Sequence, residues 1–225
     1  MIPWEKLGSA EVPGQGGEMT LFRRGKEFSI RVEGLELMNS RAHGSEEALA
    51  ELACERVEAV ERPRVLIGGL GMGFTLAEAL KRVGESAEVV VAELVPSVVA
   101  WNRGPLGELA GYPLKDGRTV VREADVAEIL KEKEGAWDAI LLDVDNGPDG
   151  FTREENDWLY GMAGLKTTLK ALRPGGVLAV WSAAPDREFT RRMKKAAFKV
   201  EEICVRARDT RKGSRHTIWL GERIA

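Results

Sequence analysis

From Arg64 onward, short β-branched and apolar runs alternate with stretches of helical composition. Val65–Ile67, Glu88–Glu93 (EVVVAE), Thr119–Arg122, Ala136–Asp143 (AWDAILLD) and Val177–Trp181 read as strands. Phe74–Val83, Pro96–Asn102, Val126–Lys133 and Asp186–Ala197 read as helices, with Pro96 in the favoured first turn. Trp158, Met162, Leu165, Leu169 and Leu172 step by 4, 3, 4 and 3, which predicts one apolar face of a long helix over Glu154–Leu172. Lys199–Arg206 and His216–Leu220 are two more strands with no helix between them, so they must pair as a hairpin. Repeated βα units imply a parallel sheet covered on both faces. The expected class is α/β: a doubly wound, seven-stranded, mostly parallel sheet ending in an antiparallel hairpin.

The N-terminal pattern is different. Residues 1–20 hold Pro3, Pro13 and several glycines and read as an irregular lead-in. Leu21–Arg23, Phe28–Val32 and Leu35–Met38 alternate in polarity and are separated by Gly25 and Gly34, which predicts a small antiparallel meander. Ser45 followed by Glu46 and Glu47 predicts an N-cap and an acidic first turn for a helix running to about Val60. The expected division is a lead-in and meander over 1–44 and a larger nucleotide-binding domain over 45–225.

Composition narrows the class. Hydrophobic residues make up 44% and charged residues 31%, which is globular and far from disorder. The longest uncharged apolar stretch, Val65–Ala77, has 13 residues, too few for a membrane helix of about 20. Two cysteines without CxxC spacing predict neither a metal site nor a disulfide framework. With no apolar leader in Met-Ile-Pro-Trp-Glu-Lys, a cytoplasmic setting is expected. Net charge is −3, but Arg187–Arg215 carries 11 basic and 4 acidic residues. That segment keeps nucleic-acid binding open as an alternative; the solvated face of a helix and its hairpin is the favoured reading.

In doubly wound sheets, ligands sit beyond the carboxyl ends of the strands. The first strand runs into Gly68-Gly69-Leu70-Gly71-Met72-Gly73 and then a helix, which suits either close backbone approach to a cofactor or a plain tight turn. Glu93 ends the second strand, 22 residues after Gly71, where an acid can take ribose hydroxyls or merely flank the next helix. Asp125 has two readings of equal weight, an acceptor for an adenine amino group or the N-cap of the helix at Val126. The fourth strand ends in Asp143-Val144-Asp145-Asn146-Gly147-Pro148-Asp149. Three carboxylates directly after a buried strand are costly unless they serve a site. Trp101, Trp137, Trp181 and Trp219 read as packing, and His216 as a strand-end residue.

The runs RVLIGGLGMGFTL, VVVAELVPSVVAWNR, WDAILLDVDNGP and LRPGGVLAVWS resemble the class I S-adenosylmethionine-dependent methyltransferase superfamily. Within it, Glu93-Leu94-Val95-Pro96 is similar to the Glu-Leu-Asp-Pro of the spermidine synthase-like (polyamine aminopropyltransferase) family, and Asn39-Ser40 to its Gln-Ser. The resemblance covers about residues 21–185. It implies binding of S-adenosylmethionine, or its decarboxylated form, by Gly68, Gly69, Leu70, Gly71, Gly73, Glu93, Leu94, Ala124, Asp125 and Asp143. It further implies Asp143 and Asp145 as the catalytic acids, and Asn39, Ser40, His43 and Asn146 toward a small acceptor such as an amine. No metal is implied.

Three departures bear on which group moves. The family's glycine loop carries an Asp where this chain has Gly71. Its second catalytic acid falls at Asn146, one residue after Asp145. Its Tyr-His-Glu signature is replaced by His43-Gly44-Ser45-Glu46-Glu47. The loop Asp would repel a methionine carboxylate and Gly71 does not. The expectation is therefore transfer of a methyl group from S-adenosylmethionine, with aminopropyl transfer (spermidine synthase) and RNA modification through the basic segment as alternatives. Homodimers are common in the family, but no interface signal stands out in the sequence.

Overall fold

A computed structural model describes residues 2–13, 17–144, 158–207 and 214–224. Four antiparallel strands come first: β1 (Glu5–Glu11), β2 (Glu18–Arg24), β3 (Glu27–Val32) and β4 (Leu35–Asn39), in that spatial order. The lead-in is therefore not irregular. β1 has almost no apolar alternation, and its order comes from pairing with β2, with a bulge between Lys6 and Gly8.

After α1 (Gly44–Glu55), the chain alternates through β5 (Arg64–Gly68), α2 (Phe74–Arg82), β6 (Glu88–Ala92), α3 (Pro96–Arg103), β7 (Thr119–Arg122), α4 (Val126–Glu132) and β8 (Trp137–Leu142). It ends through α5 (Met162–Ala171), β9 (Leu172–Ser182), α6 (Arg187–Lys195), β10 (Phe198–Arg206) and β11 (Arg215–Arg223). The large sheet has the order β10-β11-β9-β8-β5-β6-β7. β5, β6, β7, β8 and β9 pair in parallel; β11 pairs antiparallel to both β9 and β10, as the hairpin argument requires.

Several expected boundaries move. α1 ends at Glu55, five residues short of Val60, and its N-cap is His43 rather than Ser45. Ser45 is buried inside the first turn, where its Oγ lies 2.8 Å from His216 Nδ1. The helix expected over 154–172 is helical at 158–160 in its first described part, breaks at extended Gly161 and resumes as α5. Leu172 leaves the predicted apolar face to open β9 opposite Trp137, and a bulge then brings Val177 opposite Ala139.

One apolar core lies between α1, α2, α3 and one face of the large sheet, and it takes in Met19, Leu21, Phe28 and Ile30 from the small sheet. Leu21 and Ile30 are 0% and 1% exposed. Burying side chains of this size stabilises by about 1.5–3 kcal/mol each, so the small sheet is fastened to the body by packing. The opposite face is covered by α4, α5 and α6 around Trp137, Phe189 and Trp219. No described helix is long and apolar enough to cross a membrane.

Candidate functional site

The strand order reverses at β5, which has β6 on one side and β8 on the other. Register aligns the ends: Gly68 pairs with Ala92 and with Leu142, and Ala92 pairs with Arg122. Gly69, Glu93 and Asp143 therefore leave the sheet together, at the position where doubly wound folds hold ligands. The ladder continues one residue further through Gly69 N to Ala92 O (2.9 Å) and Asp143 N to Gly68 O (2.9 Å).

Two of the turn glycines have left-handed backbone, and the first is required by geometry. Gly69 has φ +88°, and a Cβ there would run into the Asp143 carbonyl. Gly71 has φ +51°, with Met38 Sδ 3.2 Å from where its Cβ would be. Asn102 on α3 holds the turn by donating from Nδ2 to Gly71 O (2.8 Å) and to Val98 O (2.9 Å).

Glu93 is 8% exposed. One carboxylate oxygen accepts from Leu70 N (2.9 Å) and the other from Val95 N (2.8 Å). Burial raises its pKa against the pull of these amides and those of Leu94 and Gly71. Glu93 also lines the cleft beside the glycine turn, the position from which an acid can accept from ribose hydroxyls. Asp125 caps α4 by accepting from Ala127 N (2.7 Å) and also lines the cleft, so its two readings coexist in one side chain.

This cleft is walled by Gly69, Gly71, Glu93, Leu94, Ala124, Asp125 and Asp143 on the large sheet. The small sheet closes it with Met19, Ile30, Leu37 and Met38. A second chamber adjoins it, lined by Leu37, Met38, Glu46, Leu70, Gly71, Met72, Phe74, Thr75, Asp143 and Trp181. Leu37, Met38, Gly71 and Asp143 border both spaces.

Asp143 stands at that border. It accepts from Thr75 Oγ1 at 2.6 Å. Burial lifts its pKa to about 6, against the opposing Thr75 bond. Glu46 is raised well above the usual carboxylate range by burial first, then by the charge of Asp143 and of Glu47. Two half-buried acids, with no cation lining their chamber among the described residues, resist ionising together. Such a pair can hold an ammonium group or take a proton from one.

Other predicted site residues fall elsewhere. Asn39 donates to Glu36 (2.8 Å) and accepts from Arg41 N (3.1 Å), and Ser40 Oγ accepts from Phe28 N (2.9 Å). Ser40 thus ties β3 to the end of β4, the Asn39 side chain bonds only its own segment, and neither residue lines either space. His43 stacks on Phe74 with ring centroids 4.2 Å apart, behind the chamber wall. Gly68 and Gly73 flank the turn, and Leu70 faces the second chamber. Asp145, Asn146 and Asp149 lie outside the described residues. Sequence reasoning missed Glu46, Thr75 and Asn102. Glu46 was absorbed by the helix-dipole reading, and the other two give no signal before the turn is folded. Trp181 is not simple packing either, because it lines the second chamber.

No family model matches the chain. A stretch of 123 residues, 54% of the chain, is 32% identical to polyamine aminopropyltransferase 1 of Streptomyces coelicolor. The matched stretch spans 22% of that protein's length. Spermidine synthase from Thermotoga maritima superposes with a TM-score of 0.76 over 97% of this chain and 72% of that one, at 18% identity. This chain has the spermidine synthase-like form of the class I methyltransferase fold. A precorrin-6y C5,15-methyltransferase from Geobacter metallireducens superposes less closely, with a TM-score of 0.55 over 76% of this chain and 86% of that one, at 14% identity.

Proposed function

We propose that this chain is a transferase that moves an alkyl group from the sulfonium of an S-adenosylmethionine-derived nucleoside to a small amine. Aminopropyl transfer from the decarboxylated nucleoside is the favoured reading. The preference for methyl transfer drawn from the sequence is not supported, because the similarities favour aminopropyltransferases. The observation that carries the proposal is Asp143. It is a half-buried strand-end acid with a pKa raised to about 6, set between the strand-end cleft and a second, acid-lined chamber.

The residues fit such a donor. Glu93 would take the ribose hydroxyls, Asp125 an adenine amino group, and Leu94, Ala124 and Val126 the apolar faces of the base. The donor supplies a carbon bonded to sulfonium, a good leaving group, so the protein need not create one. Asp143 would hold the acceptor nitrogen near that carbon and take its proton, since a free amine with pKa ~10 is mostly protonated at neutral pH. As the new C–N bond forms, the C–S pair returns to sulfur and the amine proton passes to Asp143. The amides of the glycine turn and Asn102 keep the geometry fixed.

The test is to incubate the protein with each donor and a panel of amines, then identify the nucleoside product. Methylthioadenosine with a lengthened amine is the expected result. S-adenosylhomocysteine would instead identify methyl transfer, and neither product would remove the chemistry from this cleft.

A further inference from the structure

The two chambers meet at Leu37, Met38, Gly71 and Asp143, so an alkyl arm that leaves a nucleoside in the first space at that border enters the second. The second chamber is apolar on most sides, with Leu37, Met72, Phe74 and Trp181. Its charged lining residues, among those described, are Glu46 and Asp143, both acidic. Gly71 supplies no acid here, and the Met38 sulfur lies over it. Glu46 reaches the same space from another element, the first turn of α1.

An arm ending in ammonium would meet complementary charge in this chamber. An arm that also carries a carboxylate would meet two acids, and no lining cation among the described residues, in a partly desolvated space where like charges repel. We infer that Glu46 is a specificity-determining residue that selects the decarboxylated donor over intact S-adenosylmethionine by pairing with the ammonium group of its alkyl arm. This inference rests on the proposed sulfur-nucleoside reading. Ser45, next to Glu46, is tied to His216 on β11, whose ring lies against Trp181 at 4.8 Å. The position of Glu46 is thus set by the same elements that wall the chamber.

The experiment is calorimetric titration of wild type, Glu46→Gln and Glu46→Ala with decarboxylated S-adenosylmethionine, S-adenosylmethionine and methylthioadenosine, which lacks the charged arm. Wild type should prefer the decarboxylated donor to the intact one by at least about tenfold, the order expected for a paired charge. Both variants should lose most of that preference while binding methylthioadenosine within about twofold of wild type. An unchanged donor preference in both variants would overturn the role of Glu46 while leaving the nucleoside site standing. Loss of methylthioadenosine binding along with it would also overturn it, because Glu46 would then support the whole site. Wild type that binds none of the three would overturn this inference and the proposed function together.

Discussion

Strand β8 carries a buried or half-buried aspartate near each end, and the two are treated in opposite ways. Asp138, near the start, is 6% exposed and paired with a cation, Arg173. Its Oδ2 accepts from Arg64 N (2.8 Å) and from Arg173 Nη1 (2.6 Å). Among the described residues Asp143, just past the end, has one neutral side-chain donor, Thr75, and an acid, Glu46, as a charged neighbour. The first arrangement joins β5, β8 and β9. The second stores an electrostatic cost that a cationic ligand would relieve. A carboxylate in a fold's interior therefore marks a site when the fold leaves it without a cation, not merely because it is buried.

The comparison can be broken from either end of the strand. Asp138→Ala should have the larger effect on stability. It strands the Arg64 amide and removes the partner of Arg173, whose exposed part can still reach water. The expected loss is about 2–4 kcal/mol in denaturant unfolding. A loss under about 1 kcal/mol would show that Asp138 is not a structural tie.

Asp143→Asn should act in the opposite direction. The native state holds the Asp143 proton up to about pH 6, whereas an unfolded chain releases it near the ordinary 3.8. Between those values the native state binds more protons, so stability falls as pH rises. Above pH 6 the Asn variant should be more stable than wild type by about 1–3 kcal/mol, and the difference should vanish below about pH 4. Turnover should fall at least about 100-fold at the same time. A variant that is destabilised at pH 8, or that stays fully active, would make Asp143 another structural acid.

Sequence patterning made the large sheet legible because each strand there is a short β-branched run bounded by glycine, proline or charge. The hairpin could be deduced because two strands had no helix between them. β1 was illegible because Glu5–Glu11 is ordered by its partner strand rather than by its own polarity pattern. Ser45 had the chemistry of a cap, but His43 takes that place through its stacking on Phe74, and the serine hydroxyl turns to His216. The glycine turn, Glu93 and Asp143 were visible because strand ends are positions that sequence can locate. Glu46 and Thr75 were not, because they come from helices whose approach to that end depends on packing. The preference for methyl transfer, which the similarities do not support, has the same origin. It followed from the missing acid at Gly71, while an acid on the wall of the same chamber comes from α1.

The central claim is that the strand-end cleft, with Glu93 at its base, binds a sulfur nucleoside. Calorimetric titration of methylthioadenosine into wild type and Glu93→Ala tests it most directly. The account predicts binding to wild type and a loss of about 1.5–3 kcal/mol in the variant, the range for hydrogen bonds to a charged group, or roughly 10- to 150-fold in affinity. No binding to wild type, or equal affinity in the two proteins, would contradict it.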